Sequence, residues 1–486
     1  MPAVDTVIVG GGSAGCVLAA RLSQEPDHRV LLVEAGGPDV GSDFEIPARL
    51  VRLIGSAQDW ADVTEPQAGL GGRTVRWPRG RALGGSSAIN ATLWVRPRPA
   101  DFEEWRYEHG LAGWGADEMM AALRRAEDVI GPEQLRYAHE LSTAFVESSR
   151  DAGLAESGVF EVTQRLGVRR SAAAAYLRPA LGRDNLEVRS GLARRVLFRG
   201  VRAVGVELAD GTTVSAGRVI VSAGAVGSPL LLQRSGIGPS EHLARIDVPV
   251  LVAADVGEGL ADHLAVPVLW LGQATPALHD GDPGLAERRW SERGDGPLVS
   301  GNAEAYAFAS SVGTGEPDLQ LHAGPAAFVG DVPGYPGVAR FTVAAVLVRP
   351  SSRGWIRAGG PGPDAPPHID PNYLSDPADE SALAIGARLA ADLGAADPLR
   401  RLLARRVRPV DGGTPDWRAH VRARASTLFH PTGTVAAGRV LDERLAVLGT
   451  DDLHVVDAAV FPAPVRANTN ATVLAVAERA AELLAG

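Results

Sequence analysis

The stretch VDTVIVGGGSAG, residues 4–15, decides the fold class. Residues 4–9 are mostly β-branched, which is typical of a buried strand, and glycines at positions 10, 12 and 15 follow at once. CVLAARLSQ then has the composition of a helix, and RVLLVE at 29–34 is a second buried strand. Strand, glycine turn, helix and strand make a βαβ unit. The sequence therefore predicts an α/β fold with a Rossmann-like dinucleotide-binding domain.

The three glycines have separate physical roles in such a turn. Gly10 permits the tight turn, Gly12 lets a pyrophosphate approach the backbone, and Gly15 lets the helix pack on the strand. Glu34 ends the second strand, where its carboxylate can accept from a ribose hydroxyl, which favours an adenosine cofactor without a 2′-phosphate. A glycine turn without a ligand is the alternative, and this motif does not choose between NAD and FAD.

Length and charge exclude several classes of function. A chain of 486 residues is expected to form two domains. The net charge of −10 argues against nucleic acid as a partner. A single cysteine, Cys16, excludes an internal disulfide or a multi-cysteine metal site, and we expect no metal. Without a visible secretory signal or an apolar run of 18 residues, a cytoplasmic protein is expected.

Strand and helix patterns interleave along the chain. Residues 99–183 favour helices, 186–222 short strands with a turn at ADGT, 272–300 a loop or lid, 317–357 strands and 378–406 a helix. A final helix is expected from about Thr472. We expect one domain from residues 1–98, 184–262 and 426–486. A second, discontinuous α+β domain with an antiparallel sheet would comprise residues 99–183 and 263–425.

Two longer stretches carry a family resemblance. PRGRALGGSSAIN at 78–90 and AGAVGSPLLLQRSGIG at 223–238 resemble the two signatures of the glucose-methanol-choline (GMC) family of FAD-dependent oxidoreductases. The resemblance covers nearly the whole chain and implies FAD as the cofactor. It implies cofactor contacts from Gly10, Gly12, Ser13, Ala14, Gly15, Glu34, Ala35, Arg81, Gly84, Gly85, Ser86, Asn90, Ala223, Gly224, Asp457, Ala458, Asn468, Thr469 and Asn470. Some relatives attach the flavin through a histidine where this chain has Ile89, so non-covalent FAD is expected.

The resemblance also implies a catalytic pair. It assigns the base to His430, in STLFHPTGT, and the second member to Asn468, for which a helix-capping role is the alternative. Oxidising an alcohol releases a proton, and neutral imidazole accepts a proton near neutral pH. Asn470 and Thr472 are expected to cap the terminal helix.

Two further histidines lie outside this catalytic pair. His322, in PDLQLH, is a candidate substrate contact, and a polar edge strand is the alternative. A structural role is expected for His263.

The implied activity is FAD-dependent oxidation of an alcohol to a carbonyl compound, by hydride transfer to flavin N5 with His430 as general base. Within the family, the mycofactocin-associated dehydrogenases are a match, and the substrate would then be mycofactocinol, a hydroxyl-bearing redox carrier. The alternatives are a small-alcohol oxidase or dehydrogenase of choline-dehydrogenase type, and a non-redox FAD-containing hydroxynitrile lyase. The electron acceptor (oxygen, a quinone or the respiratory chain) stays open.

An arginine-rich stretch raises the question of a docking surface. RRLLARRVR at 400–408 would place Arg401, Arg405 and Arg408 on one helical face. A solvated face is the preferred interpretation. The alternative is a docking patch for an acidic partner or a peripheral contact with the inner face of the membrane.

Overall fold

The computed structural model describes residues 4–273, 282–326, 340–410 and 415–485. The strands of its two large sheets, numbered in chain order, are β1 (Val4–Val9), β2 (Val30–Glu34), β3 (Ser157–Val159), β4 (Leu186–Ser190), β5 (Ala193–Arg199), β6 (Arg202–Leu208), β7 (Thr213–Val221), β8 (Leu264–Gly272), β9 (Ala305–Ala309), β10 (Leu319–Gly324), β11 (Arg340–Leu347), β12 (Leu403–Arg408), β13 (Ser426–Thr427) and β14 (Leu453–Val455). The helices of eight or more residues are α1 (Ser13–Leu22), α2 (Pro99–Glu108), α3 (Ala116–Ile130), α4 (Glu140–Asp151), α5 (Gly224–Arg234), α6 (Pro283–Arg293), α7 (Pro377–Gly394), α8 (Trp417–Arg424) and α9 (Thr469–Ala485).

The first sheet carries the glycine turn. Its order is β4-β2-β1-β7-β6-β5, and β14 pairs with β7. The pairs β1–β2, β1–β7, β2–β4 and β7–β14 are parallel, whereas β5, β6 and the start of β7 are antiparallel. Every residue of β2 is buried, as expected of a parallel strand covered on both faces. The predicted Rossmann-like sheet is confirmed.

Three loops meet at one edge of this sheet. Val9 of β1 pairs with Val221 of β7, which in turn pairs with Val455 of β14, so three strands end at the same level. The carboxyl ends of parallel strands are where α/β sheets bind their ligands. The glycine turn follows β1, residues 222–224 follow β7, and Asp457 follows β14. Segments far apart in the sequence thus form one edge.

The second sheet is antiparallel, as predicted. Its order is β12-β8-β11-β10-β9-β3, and β13 pairs with β8. Leu319 and Ala345 lie on the face that shares an apolar core with α7, and Gly386 of α7 packs directly on Ala345. The opposite face carries Ala265, Val346 and other residues that pack against the loop before His430. The sheet therefore forms one wall of the region around His430.

The segment 99–183 contributes to both cores. Phe102 of α2 and Met119 of α3 share the first core with Val7 of β1, whereas β3 joins the second sheet. The domain boundaries given above stay a prediction.

Two of the predicted elements are wrong in part. The loop assigned to 272–300 contains α6, and its residues 274–281 lie outside the described part of the chain. The strand region 317–357 also includes undescribed residues, 327–339. The helix assigned to 378–406 ends at Gly394. A 3₁₀ turn and β12 follow, because this segment pairs with β8 at the edge of the second sheet.

The helical face predicted for the arginines is consequently wrong. Arg401 lies in the 3₁₀ turn, with its Nη2 2.9 Å from Asp397 Oδ2. Arg405 and Arg408 lie on β12, paired with residues of β8. A strand projects alternate side chains to opposite faces, so these three arginines do not form the predicted patch. Within the described ranges, no helix is long and apolar enough to cross a membrane.

Candidate active site

The glycine turn is shaped by close backbone contacts. Gly10 has a φ of +105°, and a Cβ there would collide with the carbonyl of Ser222. A Cβ at Gly15 would collide with the carbonyl of Gly10, so only glycine lets α1 start this close to β1. α1 begins at Ser13 without a side-chain cap from Gly12. The first amides of α1 are therefore available to an anion.

The second glycine loop rests directly on the first. Gly84 N donates to Gly11 O at 2.7 Å, and a Cβ on Gly85 would lie 2.7 Å from Gly12 Cα. Both glycines of this loop have positive φ values, +88° at Gly84 and +53° at Gly85. A flat group could thus lie against bare backbone here.

Polar side chains of this second loop mainly hold the loop itself. Ser86 Oγ accepts from Gly80 N at 3.2 Å, and Asn90 Oδ1 accepts from Thr92 N at 2.9 Å. Arg169, which the sequence analysis missed, donates to Asn90 Oδ1 at 2.9 Å. Arg81 stacks over the Trp60 ring at 5.0 Å. Both oxygens already accept from backbone N–H groups, so Ser86 and Asn90 help to shape the loop.

The carboxylate of Glu34 links the loops that follow β1 and β2. Its Oε2 accepts from Gly11 N at 2.7 Å and its Oε1 accepts from Gly36 N at 2.6 Å, just past Ala35. Burial raises the pKa of this carboxyl, and the backbone donors oppose that rise. These two bonds hold the carboxylate next to the glycine turn.

The third loop is fixed by Asp457. Its Oδ2 accepts from Gly224 N at 2.9 Å and from Ser228 Oγ at 2.5 Å, while its Oδ1 accepts from Ala459 N at 2.7 Å. Gly224, with a φ of +80°, has open space where a Cβ would be. Ala223 and Ala458 flank these contacts. Asp457 thus ties the end of β14 to the start of α5.

The N-termini of two helices meet at the glycine turn. Ser13 Oγ of α1 donates to Asn470 Oδ1 of α9 at 3.4 Å. Because α9 begins at Thr469, Asn470 and Thr472 lie inside the helix, and their predicted capping role is wrong. Thr472 Oγ1, Asn468 Oδ1 and Ser222 Oγ are buried without a partner. Two positive helix ends, bare glycine backbone and unpaired buried oxygens fit an anionic, flat, hydroxyl-bearing group such as FAD.

The two candidate catalytic residues, His430 and Asn468, lie next to each other in the structure. His430 Nε2 and Asn468 Nδ2 are 3.4 Å apart. Asn468 is buried directly before α9, and His430 is partly exposed. The pair therefore lies at the N-terminus of α9, which contacts the glycine turn through Asn470 and Ser13.

His263 contacts the other side of the His430 ring. The two Nδ1 atoms are 3.0 Å apart, and the rings are nearly perpendicular, at 87°. Sequence analysis assigned His263 a structural role and missed this contact. The motif GLADH carried a signal, since an Asp-His pair beside a strand start is unusual in a buried segment.

Asp262 holds the backbone of the His430 loop. Its Oδ1 accepts from His430 N at 2.8 Å, and its Oδ2 accepts a short hydrogen bond from the Tyr373 hydroxyl. That hydroxyl accepts from Trp77 Nε1 at 3.0 Å. Phe429 has a φ of +65°, so this anchor maintains a left-handed backbone directly before His430. Burial raises the pKa of Asp262 to about 6.

The three histidines of this region are held neutral. Burial lowers the pKa of His430 well below its usual value, and the charges of His263 and His322 would lower it further. Burial likewise lowers the pKa values of His263 and His322 to about 3. A neutral imidazole offers one donor and one acceptor nitrogen. Each of the three rings therefore has one nitrogen that donates a hydrogen bond and one that accepts.

His322 lies inside the second sheet. Its strand β10 is flanked by β9 and β11, so the alternative of a polar edge strand is wrong. The Phe160 ring lies 5.1 Å from the His322 ring, and His322 Nε2 is buried without a partner. Among the described residues, no group of three His, Cys, Asp or Glu side chains could hold a metal.

Fold and site together define a flavin-dependent oxidoreductase. GMC oxidoreductase models match residues 4–265 and 350–477, and the chain belongs to that family. An uncharacterised GMC-type oxidoreductase of Mycobacterium tuberculosis is 39% identical, over 99% of both chains. Mitochondrial choline dehydrogenase of Mus musculus is 35% identical, over 99% of this chain and 89% of that one.

A solved structure agrees over the whole length. Pyridoxine 4-oxidase from Mesorbium loti superposes with a TM-score of 0.89 at 30% identity, covering 99% of this chain and 98% of that one. The cofactor is FAD, and the chain is an enzyme acting on CH–OH donors.

Proposed function

We propose that this enzyme oxidises an alcohol to a carbonyl compound and that His430 Nε2 accepts the hydroxyl proton. The observation that carries the proposal is the His430–Asn468 pair beside the N-terminus of α9. When bound, FAD supplies the two-electron acceptor that no side chain of this site provides. The alcohol oxygen would lie between His430 Nε2 and the amide of Asn468, which donates as negative charge develops.

The tautomer of His430 follows from its neighbour. Asn468 Nδ2, which can only donate, lies 3.4 Å from His430 Nε2, so that ring nitrogen is the acceptor. His430 Nδ1 then carries the hydrogen and points at His263 Nδ1, 3.0 Å away. Neutral His263 then has an unprotonated Nδ1, which accepts from His430 Nδ1–H. This arrangement leaves the lone pair of His430 on Nε2, the atom facing Asn468.

The same contact helps after proton transfer. Protonated His430 keeps its Nδ1–H bond to His263, so the new charge is partly delocalised without moving a heavy atom. Because burial lowers the pKa of His430, the proton is released readily. His430 is itself partly exposed, so the proton can pass to solvent.

We also propose that FAD is bound non-covalently, by the residues named in the sequence analysis. Ile89, at the position where some relatives carry the linking histidine, is buried and has no nucleophile. The backbone of the two glycine loops would receive the pyrophosphate and ring. Asp457 and Glu34 would orient the ribityl and ribose regions. His322 would contact the substrate from the second sheet.

For the substrate, we favour a small alcohol. Relatives named choline dehydrogenase and alcohol dehydrogenase (acceptor) support this class, and their names also favour oxidation over the lyase alternative. Mycofactocinol, suggested by the sequence, stays a prediction. Oxygen, a quinone and the respiratory chain stay the candidate electron acceptors. The cytoplasmic location, with or without contact at the inner membrane face, also stays a prediction.

Anaerobic spectroscopy tests the proposal. The purified holoenzyme is mixed without oxygen with primary and secondary alcohols, and the visible flavin band is followed. Bleaching by an alcohol is the expected result, and release of FAD into acid-precipitated supernatant supports non-covalent binding. No bleaching by any alcohol, with FAD bound, would contradict small-alcohol oxidation and favour the carrier or the lyase. Admitting air afterwards separates oxidase from dehydrogenase by the rate of colour recovery.

A further inference from the structure

The amide of Gln320 is an unsatisfied polar group in the wall of the second sheet. Its side chain is fully buried, and neither its nitrogen nor its oxygen has a hydrogen-bond partner. A carboxamide offers two donor hydrogens and one acceptor, and buried polar groups are nearly always paired. A partner that the chain itself does not supply is therefore expected at Gln320.

Strand geometry aims Gln320 at the site. Leu319 and Leu321 belong to the apolar core on the α7 side, so Gln320 and His322 point to the opposite face. Gln320 pairs with Val346, which pairs with Ala265 on the next strand. Ala265 and Val346 pack together with Val348 and Leu428, and Leu428 is two residues before His430. Gln320 thus faces the loop that carries the base.

The cross-strand neighbours of Gln320 and His322 on this face are uncharged. They are Tyr306, Phe308, Ala344, Val346, Ala265 and Pro267. Charged groups lie at the edge of this set, since Arg98 stacks over the Phe308 ring at 5.0 Å and the buried carboxylate of Glu304 precedes β9. A quaternary ammonium group has no N–H and no acceptor atom, so it could not pair with the Gln320 amide.

We propose that Gln320 is a specificity-determining contact that selects neutral alcohols with a second hydrogen-bonding group, such as a hydroxyl or carboxamide, over quaternary ammonium alcohols. The inference rests on the proposed function, because it places the substrate between this face and His430. Gln320 pairs with the second polar group of the substrate, while His430 receives the reacting hydroxyl. A substrate without that group leaves both amide atoms unpaired, and sites built this way discriminate strongly.

Two pairs of probes separate these effects. Butane-1,4-diol and butan-1-ol differ in the second hydroxyl, whereas choline and 3,3-dimethylbutan-1-ol differ in charge at nearly equal shape. We would measure kcat/KM for each with an artificial electron acceptor, in wild type, Gln320→Leu and Gln320→Glu. Gln134→Leu makes the same exchange at an exposed strand position and is the matched control.

Wild type is expected to prefer the diol over both butan-1-ol and choline by at least about tenfold. Gln320→Leu should reduce the diol preference to near unity, whereas Gln320→Glu should shift the preference towards choline by about tenfold. Gln134→Leu should leave both ratios unchanged. The melting temperature of Gln320→Leu should be equal to or above that of wild type, since an unpaired buried amide is removed.

Alcohol oxidation with diol and charge ratios unchanged in both Gln320 variants would overturn this inference and leave the proposed function intact. A lower melting temperature of Gln320→Leu with unchanged ratios would show that the amide has a structural partner, and would also overturn it. If no alcohol of the panel reduces the flavin of wild type, the proposed function fails and the inference fails with it.

Discussion

Residue by residue, the chemistry of this site depends on which nitrogen of His430 carries hydrogen. We propose that Nδ1 carries it, because Asn468 Nδ2 faces Nε2 and His263 Nδ1 lies 3.0 Å from the Nδ1 of His430. Asp262 Oδ1 accepts from the backbone N–H of the same residue. The contacts from His263 and Asp262 do not involve Nε2, the atom proposed to receive the proton. They therefore support His430 on the far side from Nε2.

Removing the acceptor on that far side should slow catalysis. His263→Ala deletes it, so we expect kcat to fall by about 10- to 100-fold with FAD content unchanged. His263→Asn can place an amide oxygen near the His430 Nδ1–H, and should restore part of the rate. Steady-state rates and flavin-to-protein ratios check both variants. Equal losses in the two variants with lowered FAD content would instead indicate a packing role.

The lowered pKa of His430 should appear in the pH profile. A lowered pKa keeps the imidazole unprotonated to lower pH than in an ordinary histidine. For a non-ionising alcohol such as butan-1-ol, kcat/KM should therefore stay level from about pH 8 through 6.5 and fall only below. An inflection at or above about 6.5 would contradict this account of the base.

Among the secondary-structure elements, the glycine loops show which features sequence patterns predict and which they do not. The βαβ unit, the ADGT hairpin and the glycine spacing follow from local pattern, and the structure has each of them. The packing of Gly85 on Gly12 and the Arg169–Asn90 bond join segments about 70 to 80 positions apart in the chain, for which no local pattern exists. The strand β12 (Leu403–Arg408) is beyond local pattern for a similar reason, because its pairing with β8 overrides a helical spacing of arginines.

Adding a side chain where the two glycine loops touch should abolish cofactor binding. Gly85→Ala adds a Cβ 2.7 Å from Gly12 Cα at a φ of +53°, so the loop must move. We expect protein purified with little FAD, measured as the ratio of flavin to protein absorbance after gel filtration. Gly37→Ala, where a Cβ meets nothing within 4 Å, is the control and should retain FAD. Full FAD content in Gly85→Ala would contradict the proposed role of the two glycine loops in FAD binding.

At the scale of the whole molecule, the site exists only because the two sheets meet. Asp262 stands just before β8 of the second sheet, yet it accepts from His430 N and from Tyr373, which itself accepts from Trp77. These four residues come from distant parts of the chain. The family resemblance predicted His430 and Asn468, but it did not show Asp262, Tyr373 or Gln320. Their roles depend on tertiary contacts that pattern and spacing do not encode.

The Asp262 anchor should make folding stability depend on pH. Its folded pKa of about 6 exceeds the unfolded value, so its contribution is fully present below about pH 4 and lost as pH rises through about 6. The difference amounts to roughly 3 kcal/mol. Relative to Asp262→Asn, wild type should therefore lose melting temperature between about pH 4 and pH 7. A constant difference between the two proteins over that range would contradict the raised pKa.

Rapid mixing of His430→Ala with an alcohol tests the central claim most directly. The rate of flavin bleaching by butan-1-ol is measured without oxygen in wild type, in His430→Ala and in His368→Ala, whose histidine is exposed and paired with Glu65. With FAD bound in all three, the account predicts a loss of about 10²- to 10⁴-fold in His430→Ala alone. Bleaching of His430→Ala at the wild-type rate would show that another group takes the proton.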